Sequence, residues 1–163
     1  IGTCMPRGRI NTRGYAEVAQ RYCTCFGGVF ARTMRTKARG EATEAIILAR
    51  LLELGYSVSL PFGDNQRYDM IIDDGESLVR AQCKTGRLRN GAVIFNTASV
   101  NWSTRVTTSY QGQVDIFLVY CPDTKEVYRI PVAITGKRHF SLRIETARNG
   151  QSKNIRMASD FTL

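Results

Sequence analysis

Four polar residues stand in segments that are otherwise hydrophobic, and they constrain the fold more than any other feature of the sequence. They are Glu44, Asp69, Gln82 and Lys84. A charged or amide side chain that is buried without a partner loses its hydration and carries a large cost in free energy. These four positions therefore require a structural or functional reason.

Gln82 and Lys84 lie in a predicted β-strand. Residues 77–84 follow the turn sequence Asp73-Asp74-Gly75 and are rich in residues that favour strands. Side chains in a strand alternate between its two faces. One face then carries Leu78, Arg80, Gln82 and Lys84, and the other carries Val79, Ala81 and Cys83. Gln82 and Lys84 are therefore expected to point the same way.

Asp69 belongs to the preceding segment, residues 67–73, which the pattern also predicts as a strand. The tight turn would join the two strands as an antiparallel hairpin, with Tyr68, Met70 and Ile72 on the face opposite Asp69. Asp69 can then lie near Gln82 and Lys84 at one end of the hairpin. A second interpretation is an Asp69–Lys84 ion pair at a sheet edge, which is common and contributes little to stability.

Glu44 lies in a predicted helix over residues 43–54, which ends at Gly55. The apolar stripe of this helix consists of Ile47, Leu48, Leu51 and Leu54. Glu44 precedes Ile47 by three residues and Leu48 by four, so we expect its carboxylate to lie on the stripe and face the sheet. An unpaired charge there would need a cation or would become protonated.

The order of these elements resembles the PD-(D/E)xK nuclease superfamily, and within it the group I intron homing-endonuclease branch and its uncharacterised relatives. The resemblance rests on helical Glu44, a first strand at residues 56–61, Asp69, and the sequence Gln82-Cys83-Lys84, and it covers residues 37–163. It implies an α/β restriction-endonuclease-like core, in which a helix, a three-stranded β-meander and further α/β elements surround a mixed central sheet. One departure is Gln82, since the superfamily usually has an acidic residue there.

The resemblance implies a metal-dependent DNA endonuclease that hydrolyses phosphodiester bonds, with Glu44, Asp69, Gln82 and Lys84 as its catalytic residues. Asp69, Gln82 and the backbone carbonyl of Cys83 would hold Mg²⁺ or Mn²⁺, and Glu44 would act through water or a second ion. A neutral amide lowers the ligand charge of such a site. The alternative is therefore a non-catalytic DNA-binding protein that retains the nuclease fold. A third possibility is an unrelated basic α/β protein.

The charge of the chain favours double-stranded DNA as a partner. Formal net charge is +9, and the basic residues are clustered. Lysine and arginine contacts to phosphates release condensed counterions and so favour binding to a polyanion. The predicted DNA contacts are Lys37, Arg39, Arg67, Arg80, Arg87 and Arg89. A basic surface that serves only solubility is the alternative.

Cutting both strands with one site per chain calls for two subunits, so we expect a homodimer or a larger symmetric oligomer.

A chain of 163 residues is long enough for one domain with a substantial core. We expect residues 1–36 to be a basic leader or arm, either native or non-native, and residues 37–163 to form the nuclease-like domain. No run approaches the roughly 20 apolar residues that span a bilayer. We therefore expect no membrane partner and a cytoplasmic protein of a prokaryote, associated with the nucleoid when it is bound to DNA.

The second half of the chain is predicted to add strands to this core. The pattern indicates a strand at residues 92–96, a hairpin formed by residues 115–120 and 126–132, and a further strand at residues 142–145. Residues 101–113 are expected to be irregular or helical.

Overall fold

A computed structural model of the chain describes residues 36–63, 65–101, 103–145 and 155–163. The predicted leader at residues 1–36 lies outside this part of the chain except for Thr36. Its separation from a nuclease-like domain at residues 37–163 therefore stays a prediction.

The helix, α1, spans Thr36–Glu53 and so begins earlier than predicted. Gly55 follows the helix two residues after Glu53, and its φ of 84° lies in the left-handed region that favours glycine. There the N–H of Tyr56 donates to the carbonyl of Leu51 and the N–H of Gly55 donates to that of Leu52. This pair of bonds is the Schellman motif, which satisfies the last carbonyls of the helix.

The described residues contain ten strands. In chain order they are β1 (Ser57–Ser59), β2 (Met70–Asp73), β3 (Leu78–Thr85), β4 (Arg87–Arg89), β5 (Ala92–Asn96), β6 (Ala98–Asn101), β7 (Val106–Ser109), β8 (Ile116–Cys121), β9 (Glu126–Pro131) and β10 (His139–Arg143). Five of the strands form a central sheet in the order β1-β2-β3-β8-β9. The first three form an antiparallel meander, β3 and β8 are parallel, and β8 and β9 are antiparallel. The predicted mixed α/β fold is confirmed.

The remaining strands form a three-stranded sheet in the order β10-β5-β4 and a two-stranded ribbon of β6 and β7. Strand β5 lies where it was predicted, whereas β10 begins before the predicted residues 142–145. The expectation that residues 101–113 are irregular or helical is wrong, because they include β7. Its β-branched residues, Val106, Thr107 and Thr108, favour the extended backbone that pairs with β6.

The central sheet is covered on both faces. Alternate residues of β8 point to opposite faces, so Ile116 and Leu118 pack with Ile47 and Leu51 of α1. Phe117 and Val119 pack on the other face, in a cluster with residues of β5 and β10 such as Phe95. In the described part of the chain, no helix is long and apolar enough to cross a membrane.

Candidate functional site

Asp69 lies immediately before β2 and is held against the end of β3. Its N–H donates to the carbonyl of Ala81 at 2.9 Å. The pairing of β2 with β3 ends at Met70 and Ala81. Beyond this point the Asp69 side chain replaces the backbone as acceptor. The N–H of Cys83 donates a hydrogen bond to Asp69 Oδ2 at 2.7 Å. The backbone of β3 therefore fixes both the main chain and the side chain of Asp69.

Gln82 is buried beside Asp69, as the alternation of the strand predicts. Its side-chain Nε2 donates a hydrogen bond to Asp69 Oδ2 and lies 3.5 Å from the carbonyl oxygen of Cys83. These are two of the oxygens that the family resemblance implies as metal ligands. An uncharged but electropositive NH₂ group therefore lies against both of them.

Lys84 lies on the same face of β3 as Gln82, because Gln82 is paired with Phe117 and Lys84 with Val119 on the neighbouring parallel strand. Its Nζ donates a hydrogen bond to the hydroxyl of Tyr110 at 3.0 Å. The ion pairs formed by the described residues do not include an Asp69–Lys84 pair. The simple ion-pair interpretation is therefore not what the structure shows.

Glu44 is exposed, so the expectation that it lies buried on the apolar stripe of α1 is wrong. The buried line of the helix runs through Thr43, Ile47 and Leu51, and Glu44 lies about 100° around the helix from Thr43. The hydroxyl oxygens of Thr43 and Thr85 lie 2.7 Å apart and share a hydrogen bond. This bond joins α1 to the end of β3 next to Lys84, and it brings Glu44 close enough to interact electrostatically with Asp69 and Lys84.

Desolvation dominates the electrostatics of the site. Partial burial raises the pKa of Asp69 above its ordinary value, although the Cys83 N–H and the Lys84 ammonium act in the opposite direction. The pKa of Glu44 is also raised, first by desolvation and then by the carboxylates of Asp69 and Glu41, against Lys84. Burial raises the pKa of the Cys83 thiol well above its usual range. A neutral buried thiol is a poor nucleophile, so Cys83 contributes its backbone rather than its sulfur.

The Asp69 carboxylate and the Cys83 carbonyl supply oxygen atoms of the kind that a hard divalent cation binds, whereas the Gln82 amide presents its nitrogen to them. Carboxylate and carbonyl oxygens are the preferred ligands of hard divalent cations. The oxygens of Asp69 and Cys83 already face an electropositive group, the Gln82 NH₂. No cluster of three or more His, Cys, Asp or Glu side chains placed to hold a metal occurs in the described ranges. A cation would therefore depend on Asp69, the Cys83 carbonyl and a Gln82 amide turned to present its oxygen, with Glu44 acting through water or a second ion.

Two of the predicted DNA-binding arginines, Arg67 and Arg80, already form hydrogen bonds with other residues of the protein. Arg80 forms a two-pronged ion pair with Asp115, with distances of 2.9 Å from Nη2 to Oδ1 and 3.1 Å from Nε to Oδ2. Arg67 donates to Gln113 at 2.6 Å, to the Ser99 hydroxyl at 2.9 Å and to the Ser109 carbonyl at 3.3 Å. These contacts give both guanidinium groups a structural role that charge clustering does not indicate.

The other predicted DNA contacts lie on the surface. Arg87 and Arg89 are exposed on β4, which is the edge strand of the three-stranded sheet. Lys37 and Arg39 are exposed in the first turns of α1, where Lys37 lies 3.9 Å from the carboxylate of Glu41. Their contacts with DNA stay predictions.

Sequence reasoning missed Tyr110 and Thr43. Tyr110 lies outside every predicted strand, and no local pattern connects it with Lys84. Thr43 was detectable, because it precedes Ile47 and Leu51 at the four-residue spacing of a buried helix face.

A helix packed on a mixed sheet, whose antiparallel meander brings an aspartate beside a Gln-x-Lys sequence, defines a nuclease-type fold of the restriction-endonuclease kind. The profile of the PD-(D/E)XK endonuclease family matches residues 34–163, and the chain belongs to that family. The predicted superfamily resemblance is confirmed. Among curated proteins, no significant match to the chain is found.

The solved structure of a bacterial homing endonuclease, I-Ssp6803I, is similar to this protein, with a TM-score of 0.64 and 21% sequence identity. The match covers 79% of this chain and 89% of the homing endonuclease chain. At this level of identity, the similarity shows a shared fold.

Proposed function

We propose that this protein is a divalent-metal-dependent DNA endonuclease that hydrolyses phosphodiester bonds. The observation that carries the proposal is the convergence of Asp69, Gln82 and Lys84 at one end of the β2–β3 hairpin, in a chain of the endonuclease family. The net charge of +9 supports double-stranded DNA as the substrate.

Each residue of the site has a chemical role in this proposal. Asp69, the Cys83 carbonyl and a Gln82 amide turned to present its oxygen would hold Mg²⁺ or Mn²⁺, and Glu44 would contribute through water or a second ion. When bound, such a cation supplies Lewis acidity toward a phosphate oxygen and increases the acidity of a coordinated water. The Lys84 ammonium orients the attacking water and stabilises negative charge that develops on the phosphate. Two copies of the chain in a homodimer or a larger symmetric oligomer would place one site on each DNA strand.

A DNA-binding protein that retains the fold without cleavage is the second candidate. It is favoured first by the orientation of Gln82, whose nitrogen faces Asp69 and the Cys83 carbonyl. The raised pKa of Asp69 also means that a proton competes more strongly with a cation for its carboxylate. Both features would weaken metal binding.

A nicking assay on supercoiled plasmid, with and without Mg²⁺ or Mn²⁺, tests the proposal. We expect metal-dependent nicking by the wild type and none by Lys84→Ala, which should still bind duplex DNA. Asp69→Asn should remove both nicking and the heat of Mg²⁺ or Mn²⁺ binding in isothermal titration. Lys137→Ala removes one exposed lysine charge elsewhere and serves as the matched control. Undiminished nicking by Lys84→Ala would show that the site assignment is wrong, and duplex binding without nicking by the wild type would favour the second candidate.

A further inference from the structure

Tyr110 is fixed in the core directly after β7 and presents its hydroxyl to Lys84. The residue is 5% exposed. Its ring meets that of the fully buried Phe117 edge to face, with centroids 5.5 Å apart and an interplanar angle of 86°. A tyrosine held in this way has little freedom, so its hydroxyl is a stationary acceptor for the Lys84 Nζ, which lies 3.0 Å away.

The chemistry of this acceptor suits a catalytic lysine. A lysine ammonium ends a flexible four-carbon stem, and it loses conformational entropy when it is held in one place. A carboxylate could hold the ammonium but would also cancel its charge. The phenol oxygen of Tyr110 is neutral, so it can orient Lys84 and leave the positive charge available to a phosphate.

Two cations lie against the ring of Tyr110. The guanidinium carbon of Arg67 is 4.4 Å from the ring centroid and the Nζ of Lys84 is 4.6 Å from it, both within the range of a cation–π interaction. The same guanidinium donates to the Ser99 hydroxyl in β6 and to the Ser109 carbonyl in β7. A two-stranded ribbon is marginally stable by itself, and most of β7 is exposed, so these bonds tether the ribbon to the domain.

We infer that Tyr110 is a positioning residue for Lys84, and that Arg67 holds Tyr110 and the β6–β7 ribbon together beside the site. The inference rests on the proposed function, because it gives the Lys84 ammonium a part in cleavage. It assigns to Arg67 a role within the protein in place of a contact with phosphate.

Tyr110→Phe tests the role of the hydroxyl, because it keeps the ring and its packing on Phe117. A hydrogen bond to a charged group is lost, so we expect kcat for nicking to fall by about tenfold or more, with KM and the salt dependence of duplex binding unchanged. Tyr128→Phe is the matched control. Tyr128 is also buried, and its hydroxyl bonds to Thr124 at 3.1 Å instead of to Lys84. Nicking by Tyr110→Phe at the wild-type rate would overturn the inference and leave the proposed function intact.

The ¹⁵N NMR signal of the lysine side-chain NH₃⁺ group supplies a measurement that does not depend on activity. The Lys84 signal is assigned as the one that Lys84→Ala removes. We expect it to be visible in the wild type and in Tyr128→Phe, and lost or markedly shifted in Tyr110→Phe. If the wild type does not nick DNA but the signal depends on Tyr110, the positioning contact is supported and the endonuclease proposal fails. An unchanged signal in Tyr110→Phe would overturn the inference whatever the nicking assay shows.

Arg67→Lys gives a second variant that keeps the positive charge but cannot form all three bonds of the guanidinium. We expect kcat to fall and the Lys84 signal to weaken, with an unchanged slope of log affinity against log salt. A salt slope that becomes shallower by about one unit in Arg67→Ala, with kcat preserved in Arg67→Lys, would instead identify Arg67 as a phosphate contact and overturn its assigned role.

Discussion

The side-chain amide of Gln82 donates a hydrogen bond to the carboxylate of Asp69. An ionised acidic residue in the same place could only accept, and it would set a second negative charge beside Asp69. The amide therefore stabilises the metal-free site, whereas a carboxylate would favour the metal-bound one. This difference leads to a prediction that also separates the two candidate functions.

Gln82→Glu should destabilise the metal-free protein and strengthen metal binding. The substitution removes a buried donor and places like charges together, so we expect a loss of about 1–3 kcal/mol in the free energy of unfolding without metal. Adding Mg²⁺ or Mn²⁺ should recover more stability than in the wild type, because the site gains an anionic oxygen ligand. Thermal unfolding with and without metal, together with isothermal titration, measures both effects. Gln111→Glu adds the same charge at an exposed position and should show neither.

The nicking activity of Gln82→Glu then distinguishes the candidates. If the wild type is an active endonuclease, the substitution should change its rate only modestly. If the wild type binds DNA without cutting it, only Gln82→Glu should nick the plasmid. Failure of both proteins on every DNA tested, with duplex binding retained, would favour the non-catalytic reading.

Arg87 and Arg89 are expected to contact phosphates, because they are exposed on the edge strand β4. Replacing either with alanine should lower affinity for all duplex sequences alike and make the slope of log affinity against log salt shallower by about one unit. Arg80→Ala is the comparison, since its guanidinium is already paired with Asp115, and it should change the slope less. A change in sequence preference at constant slope would show that the arginine contacts bases.

Gly86 is predicted to resist substitution because the core closes around it. A Cβ atom at this position would lie 2.8 Å from Val93 Cγ1 and 3.1 Å from Val119 Cγ1. Gly86→Ala should therefore destabilise the protein by about 1–3 kcal/mol through overpacking. Gly40→Ala is the matched control, because a Cβ there meets nothing within 4 Å and the residue lies inside α1. It should stabilise the protein by about 0.5–1 kcal/mol. Urea denaturation measures the free energy of unfolding of both variants. Equal changes in this free energy would contradict the argument that the space around Gly86 is filled.

The Arg80–Asp115 pair should contribute a small acid-sensitive part of the stability. Hydrogen bonding from Arg80 lowers the pKa of Asp115 below its ordinary value of 3.8. A carboxyl group with a lowered pKa in the folded state stabilises the fold above its unfolded pKa, and this contribution is lost as the pH falls through the folded value. Asp115→Asn should therefore lose stability at neutral pH, by about 1 kcal/mol or less for an exposed pair, and little in strong acid. Thermal unfolding measured from neutral pH to strong acid checks this prediction. A difference in stability between Asp115→Asn and the wild type that stayed constant with pH would contradict the stabilising role of the Arg80–Asp115 pair.

Much of the meander was predictable because its signals are local. The turn at Asp73-Asp74-Gly75 and the alternation of β3 predict that Asp69 lies near Gln82, and the structure brings these two side chains into contact. Their roles in a catalytic site stay predictions. The helix was predictable as an element, and Ile47 and Leu51 of its predicted apolar stripe are buried, but the stripe was extended to Glu44 instead of to Thr43, which lies about 100° away around the helix. Hydrophobic periodicity specifies a face only to within such a rotation.

The sequence by itself determined that a helix precedes an antiparallel hairpin, that Gln82 and Lys84 share one face of its second strand near Asp69, and the family to which the chain belongs. Only the tertiary structure decided that β8 lies parallel to β3, that Tyr110 meets Lys84, and that Arg80 is paired with Asp115. Local periodicity records which way a side chain points along its own strand or helix. The contact partner that a side chain finds in a distant segment depends on how whole helices and strands pack together. This packing is set by residues throughout the core, and no local pattern reveals it.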